Sequence, residues 1–189
     1  MEPIPSGDER FLLQRHLDGD PTAFALLMKA YQKPVYSYLI QCNLPDTQID
    51  DVFQEIFIKI HRAAGQYDPE RPLQPWLFTI VANTVRSYYR QQKVEALVFE
   101  QEPQQEPEGD QKLIAEQTAS WLKKALSHLP EIQREVLLLC GIQELGPTET
   151  AKILELPLGT VKTHLRRARL ALAQAFARRE RQMEREVQS

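Results

Sequence analysis

The chain has 189 residues, a formal net charge of -3, 42% hydrophobic residues and 26% charged residues. Those proportions are ordinary for a soluble globular protein and exclude a fibrous repeat or wholesale disorder, and the net acidity excludes indiscriminate coating of nucleic acid. The length admits one ordinary domain or two small ones.

The opening "MEPIPSGDER" has no basic start followed by an apolar run, and no stretch approaches the roughly 18 apolar residues of a membrane span. A cytoplasmic protein without stable membrane insertion is therefore expected. Cys42 and Cys140 lie far apart in apolar sequence, which predicts buried thiols in a reducing compartment rather than a disulfide framework. With only 7 glycines, apolar residues recurring at three- and four-residue spacings and no long alternating run, the fold class expected is all-α.

Asp20 reads as an N-cap with Pro21 at the first helical position. Phe24, Leu27, Met28, Tyr31, Val35, Tyr38 and Leu39 then share one side of a helix that Pro34 should kink or divide. A further helix is predicted from about Asp46 to Arg62, with Val52, Phe53, Ile56, Phe57 and Ile60 as its apolar stripe and Asp51, Gln54 and Glu55 on a different side. "AGQYDPERP" has the glycine and prolines of a loop, and the helical pattern resumes from about Leu73 to Lys93.

Composition then shifts: "FEQEPQQEPEGDQK" is acidic, rich in Gln and Pro, and nearly free of apolar residues. Such a segment buries too little surface to offset its ordering entropy. Residues 95–112 are therefore expected to be a flexible acidic linker joining two small helical domains, 1–94 and 113–189. "LIAEQTASWLKKALSHL" reads as an amphipathic helix ending before Pro130, and "EIQREVLLLCGI" as another. The short helix "PTETAKIL", the break "ELP" and the longer helix "LGTVKTHLRRAR" have helix-turn-helix spacing.

On that last helix Val161, Leu165, Ala168 and Leu172 should pack inward, leaving a cationic side rich in donors. A helix of this kind enters the major groove of DNA, and its N-terminal part meets the bases. Lys162, Thr163, His164 and Arg166 are therefore candidates for base edges or nearby phosphates, and Arg167 and Arg169 mainly for phosphates. Gly159 and Thr160 sit where helix amides meet a phosphate. Taken alone, the same charges also describe an ordinary solvated helix face.

Together, "GDPTAF", "DDVFQEIF", "PWLFTIVANTVRSYYR", "LPEIQREVLLL" and "LPLGTVKTHLRRAR", in this order from about Asp18 to Ala175, resemble the extracytoplasmic-function sigma factors of bacterial RNA polymerase, within the sigma-70 family. The resemblance implies a non-catalytic initiation factor. Its first domain would bind core polymerase and read and melt the -10 element; its second would read the -35 element. An anti-sigma factor would hold it inactive by covering surfaces of both domains.

Carried over by position, Asp51, Gln54 and Glu55 would contact the clamp helices of the polymerase's large subunit, although their acidic, amide-bearing stripe is also what plain helix surface looks like. Asn83, Arg86, Ser87 and Arg90, at i, i+3, i+4 and i+7, would face the -10 element; the family usually has an aspartate where Ser87 stands. Tyr88 and Tyr89 either stack on bases or pack. Tyr67, Asp68 and Arg71 correspond to the family's pocket for a flipped base, with a plain turn as the alternative, and Trp76 reads as core. The acidic linker would thread the polymerase's basic cleft, though a solvated tether accounts for it equally. Two further departures stand out: Glu155 replaces a frequent glycine in the turn, and Thr150 replaces an aliphatic residue, which predicts looser packing of the short helix.

His16, His61, His128 and His164 fall on separate elements without zinc-site spacing, and no nucleophile with a base and no phosphate-cradling glycine loop occurs. Neither enzyme activity, nor a metal, nor a cofactor is expected. The rival reading is a conventional helix-turn-helix regulator of a duplex operator, since "GTVKTHL" also resembles response-regulator output domains. Such a protein would carry a receiver on a parallel-sheet pattern, whereas this N-terminal half reads as helical.

Overall fold

The structure, a computed structural model, describes residues 9–99 and 114–187, with side chains described over 9–92 and 121–183. Among the described residues there is no strand. The chain divides into two compact units, with the main boundary between residues 106 and 107. That boundary falls inside the expected linker, which lies outside the described residues except for its first residues, 95–99.

The first unit comprises α1 (Glu9–Leu17), α2 (Ala23–Gln41), α3 (Asp46–Ala63), a 3-10 turn (Ala64–Gln66) and α4 (Leu73–Phe99). Spacing assigns no element to residues 9–17, yet α1 buries Leu12 and Leu13 and is tied to α2 by the Tyr31 hydroxyl, which donates to Glu9 Oε2 at 2.9 Å. Burial, and then the neighbouring Glu9 carboxylate, raises the Tyr31 phenol above its ordinary pKa. Gly19, at φ 93°, turns the chain out of α1. Asp20 Oδ1 then accepts the Thr22 amide at 2.8 Å, so Asp20 does the capping even though regular helix starts at Ala23.

Pro34 lies inside α2 without dividing it. The core forms where Tyr38 and Leu39 of α2, Ile49, Val52, Ile56, Phe57 and Ile60 of α3, and Leu77, Phe78, Val81, Ala82 and Val85 of α4 are all buried. Each large aliphatic side chain so removed from water contributes about 1.5–3 kcal/mol before the entropy of ordering is set against it. Phe53, expected in the apolar stripe, is half-buried and packs between Tyr36 at 4.6 Å and Phe57 at 4.8 Å. α4 extends past Lys93 to Phe99, so residues 95–99, expected to open the flexible linker, are helical instead.

The second unit comprises α5 (Ile114–Ser127), α6 (Glu131–Leu137), a π turn (Leu138–Ile142), α7 (Pro147–Leu154) and α8 (Leu158–Val187). The single helix expected over residues 131–142 thus ends in a widened turn, closed by the Gln143 amide donating to Leu138 O at 3.0 Å. Pro147 opens α7, and the Gly146 amide donates to Glu149 Oε2 at 2.8 Å, filling the end of the helix as a capping box does. Thr150 is fully buried rather than loosely packed, with Oγ1 3.2 Å from Cys140 Sγ. Cys42 is buried, Cys140 is half-buried, and both are free thiols.

Candidate nucleic-acid interface

The break between α7 and α8 is a tight left-handed stop. Glu155 adopts φ 54° and ψ 40°, and the Leu156 amide reaches back to Ala151 O at 3.0 Å. Pro157 O then accepts from the amides of Thr160 and Val161, launching α8. Val161, Leu165 and Ala168 are buried against the unit, and Leu172 is half-buried.

That seating leaves Gly159, Lys162, Thr163, Arg166, Arg167 and Arg169 exposed, with Thr160 and His164 half-buried. Among the described residues none of the four cations on this face holds a carboxylate at ion-pair distance. Their charge is therefore available to an external polyanion. Thr163 Oγ1 donates to Gly159 O at 2.8 Å, so this hydroxyl meets an outside group as an acceptor unless it turns. His164 Nδ1 is shielded from solvent without a partner, which leaves Nε2 as the ring nitrogen able to reach outward.

In the first unit Asn83 and Arg90 are exposed and Arg86 and Ser87 half-buried on α4, with Arg90 Nη2 donating to Ser87 Oγ at 3.4 Å. Asn83 and Ser87 line a groove of about 360 Å³ whose opposite wall is Lys59 and Arg62 of α3, with Gln66 at one end. Spacing along one helix does not single out Lys59, Arg62 or Gln66, because their relation to Asn83 exists only across the packed helix pair. Lys59 and Arg62 repeat at i and i+3 beside Glu55, and that was their one visible signal.

The turn before α4 commits its aromatic residue inward. Tyr67 is 9% exposed, its ring lies 5.2 Å from that of half-buried Trp76, and its hydroxyl donates to Arg71 O at 2.6 Å. Burial raises the Tyr67 phenol above its ordinary pKa. Asp68 and Arg71 are exposed and paired with each other at 3.2 Å. Tyr88 and Tyr89 are half-buried and pack edge-on, 5.5 Å apart.

Asp51, Gln54 and Glu55 all stand exposed on α3, and Ile58, 50% exposed, continues their face one turn on. His16 and His61, from α1 and α3, bring their rings within 4.8 Å of each other, while among the described residues no three potential metal ligands cluster.

The family model for Sigma-70 region 2 matches residues 27–95 and that for Sigma-70, region 4 matches residues 119–172. The chain is 30% identical over 178 residues to the ECF RNA polymerase sigma-E factor of Escherichia coli (strain K12), covering 87% of this chain and 92% of the relative. It is 28% identical to the RNA polymerase sigma factor CnrH of Cupriavidus metallidurans over 89% of this chain and 94% of that one. A solved structure of CnrH with the cytosolic domain of CnrY superposes with a TM-score of 0.69 at 26% identity, covering 89% of this chain and 97% of that one. The sigma factor RpoE from Bartonella quintana, solved with the anti-sigma factor NepR, shares the fold at the same TM-score and 22% identity, over 82% of this chain and 98% of that one. Matched by both region models and 30% identical to a sigma-E factor over most of both chains, the chain belongs to the extracytoplasmic-function sigma factors of the sigma-70 family.

Proposed function

We propose that this sigma factor works through three surfaces. The α3 stripe of Asp51, Gln54 and Glu55 docks on the clamp helices of core RNA polymerase. The α4 face of Asn83, Arg86, Ser87 and Arg90, with Asp68, Arg71 and the Tyr67-pinned turn, reads and opens the -10 element. The N-terminal part of α8, from Gly159 to Arg169, enters the major groove of the -35 element. In this reading residues 1–94 and 113–189 are the two working domains and 95–112 the connection between them.

The observation that carries the reading is the asymmetry of charge. An acidic chain displays Lys162, Arg166, Arg167 and Arg169 on one helix face without ion-pair partners among the described residues, and an acidic stripe on a different unit. Chemistry of RNA synthesis belongs to the polymerase, and this chain supplies binding, orientation and strand opening. The protein acts in the cytoplasm, beside the polymerase; none of its described helices is long and apolar enough to cross a membrane. An anti-sigma factor would hold it in reserve, in keeping with the partner-bound relatives. Titration of labelled chain with purified core polymerase, beside an Asp51→Lys, Glu55→Lys double variant, tests the reading. Tight binding lost by the folded variant is expected; equal binding by both would remove α3 from the interface.

A further inference from the structure

Where α3 meets α1 and α2, three rings close on one another. His16 of α1 lies 4.8 Å from His61 of α3, centroid to centroid and tilted by 59°, and Phe24 of α2 packs 5.0 Å from the first and 5.3 Å from the second. Phe57 backs Phe24 edge-on at 6.5 Å, so one flank of the histidine pair is apolar. His61 is exposed and His16 half-buried, which leaves another flank open to solvent. Neither imidazole has a hydrogen-bond partner among the described residues.

We propose that His16 and His61 form an open two-histidine site for a divalent transition cation of the Ni2+, Cu2+ and Zn2+ class, which pins α1 to α3. A ring bound through nitrogen at about 2.0–2.1 Å has its centroid about 3.2 Å from the ion, so two such rings lie about 4.5 Å apart at a right angle and about 5.2 Å apart at the tetrahedral angle. The observed 4.8 Å falls between these values. The outer torsion of a histidine is broad, so either ring presents a nitrogen to the shared point by turning in place, without moving a helix. Neighbouring cations do not oppose the ion: Arg15, beside His16, is held by Asp20 at 2.6 Å, and Arg62, beside His61, lines the groove against α4.

Having two protein ligands sets the kind of site. Among the described residues no carboxylate or thiol joins the pair to make three, so water takes the remaining positions and the ion exchanges, unlike the ion of a closed structural centre. Imidazole nitrogen selects borderline ions over Mg2+ and Ca2+, which take oxygen. The gain falls on α1, whose nine residues are too few for a helix to stand alone. An ion joining residues 16 and 61 closes the chain between them and so restrains α1 from opening.

Titration of the full, tag-free chain with Ni2+, followed by calorimetry and by amide exchange over Glu9–Leu17, tests this. One ion should bind with a micromolar Kd. At a free concentration ten times that Kd, exchange in α1 should slow about tenfold, the factor by which an ion that binds only the closed form suppresses opening. His16→Phe and His61→Phe keep a ring against Phe24 and remove the ligand nitrogens. Each should weaken binding about tenfold or more and abolish the protection of α1, and the double variant should lose little beyond either single one, because one imidazole alone does not chelate. His128→Gln, in the second unit, should bind as the wild type does, and a loss there would move the site and overturn the proposal. Single variants that each keep most of the affinity while the double variant loses it would make the histidines independent contacts, with the same consequence. So would the absence of any Ni2+ effect up to about 1 mM, the weak end of specific affinity, or equal protection by Mg2+, which would be a general response of an acidic chain. Circular dichroism melts without metal confirm that each variant is folded.

Discussion

Glu155 holds a backbone conformation that glycine adopts freely and other residues adopt at a cost, with φ at 54°. Its side chain is exposed, so nothing in packing offsets the crowding of its Cβ against the backbone. Glu155→Gly should therefore stabilise the second unit by about 1 kcal/mol, less what glycine loses in the unfolded chain. For a unit of this size that is a rise in Tm of about 4 to 8 °C at most, read by calorimetry; a fall would mean that the αL turn is not strained. Asp20 gives a pH-dependent counterpart. Hydrogen bonds from the Thr22 hydroxyl and amide, then from Arg15, lower its carboxyl to about 2. A lowered folded value means that the stabilisation is present above the unfolded pKa near 4 and disappears as pH falls through the folded value. The stability gap between wild type and Asp20→Asn should accordingly shrink between about pH 4 and pH 2, measured by denaturant titration at each pH. At this scale the sequence shows Asp20 as a cap and Glu155 as an oddity. It does not show that Tyr67 turns inward, since whether an aromatic residue in a loop faces solvent depends on Trp76 and Arg71 O, which only the folded turn brings to it.

At the scale of the element, α8 is legible because its two faces follow one period: Val161, Leu165 and Ala168 are buried and the cations between them are not. Arg166→Ala should cost about 1–3 kcal/mol of promoter affinity and relax preference at one upstream base if Arg166 reads an edge. A loss of equal size on every sequence, from a panel of single-base promoter variants bound by holoenzyme, would make it a phosphate contact. Leu165→Ala acts on the other face. At 8% exposure, its truncation should lower the stability of the second unit by about 2–5 kcal/mol, seen as a shifted denaturant midpoint. Elements were harder to read where they were short or depended on a neighbour. α1 has only nine residues, too few to establish a period, and is held by Tyr31 from α2. The π turn at Leu138–Ile142 arises from closure by Gln143 and Leu145 amides, which local propensity does not encode. Lys59 and Arg62 became visible as groove residues only once α3 lay against α4.

For the whole molecule, the division into two units was legible from a change in composition, since an acidic stretch poor in apolar residues cannot join a core. Each unit carries only part of the DNA-facing surface, so the chain's selectivity for a promoter depends on both parts engaging one DNA at once, with polymerase fixing their targets. The free chain should bind promoter duplex weakly at physiological salt, and tight sequence-specific binding without polymerase would contradict this arrangement. Joining turns the second contact into an intramolecular one, whose strength follows the effective concentration that the connection allows. If residues 100–112 act as a tether, as their composition suggests, doubling their number with a Gly/Ser insertion adds only about 0.6 kcal/mol of closure entropy. Promoter affinity of the holoenzyme should then fall about threefold, and replacing the acidic residues of 100–112 with glutamine at constant length should change it little. A loss of a hundredfold or more from the glutamine replacement would instead assign those carboxylates a direct contact with polymerase, because chain entropy is the same in both chains and charge is all that differs.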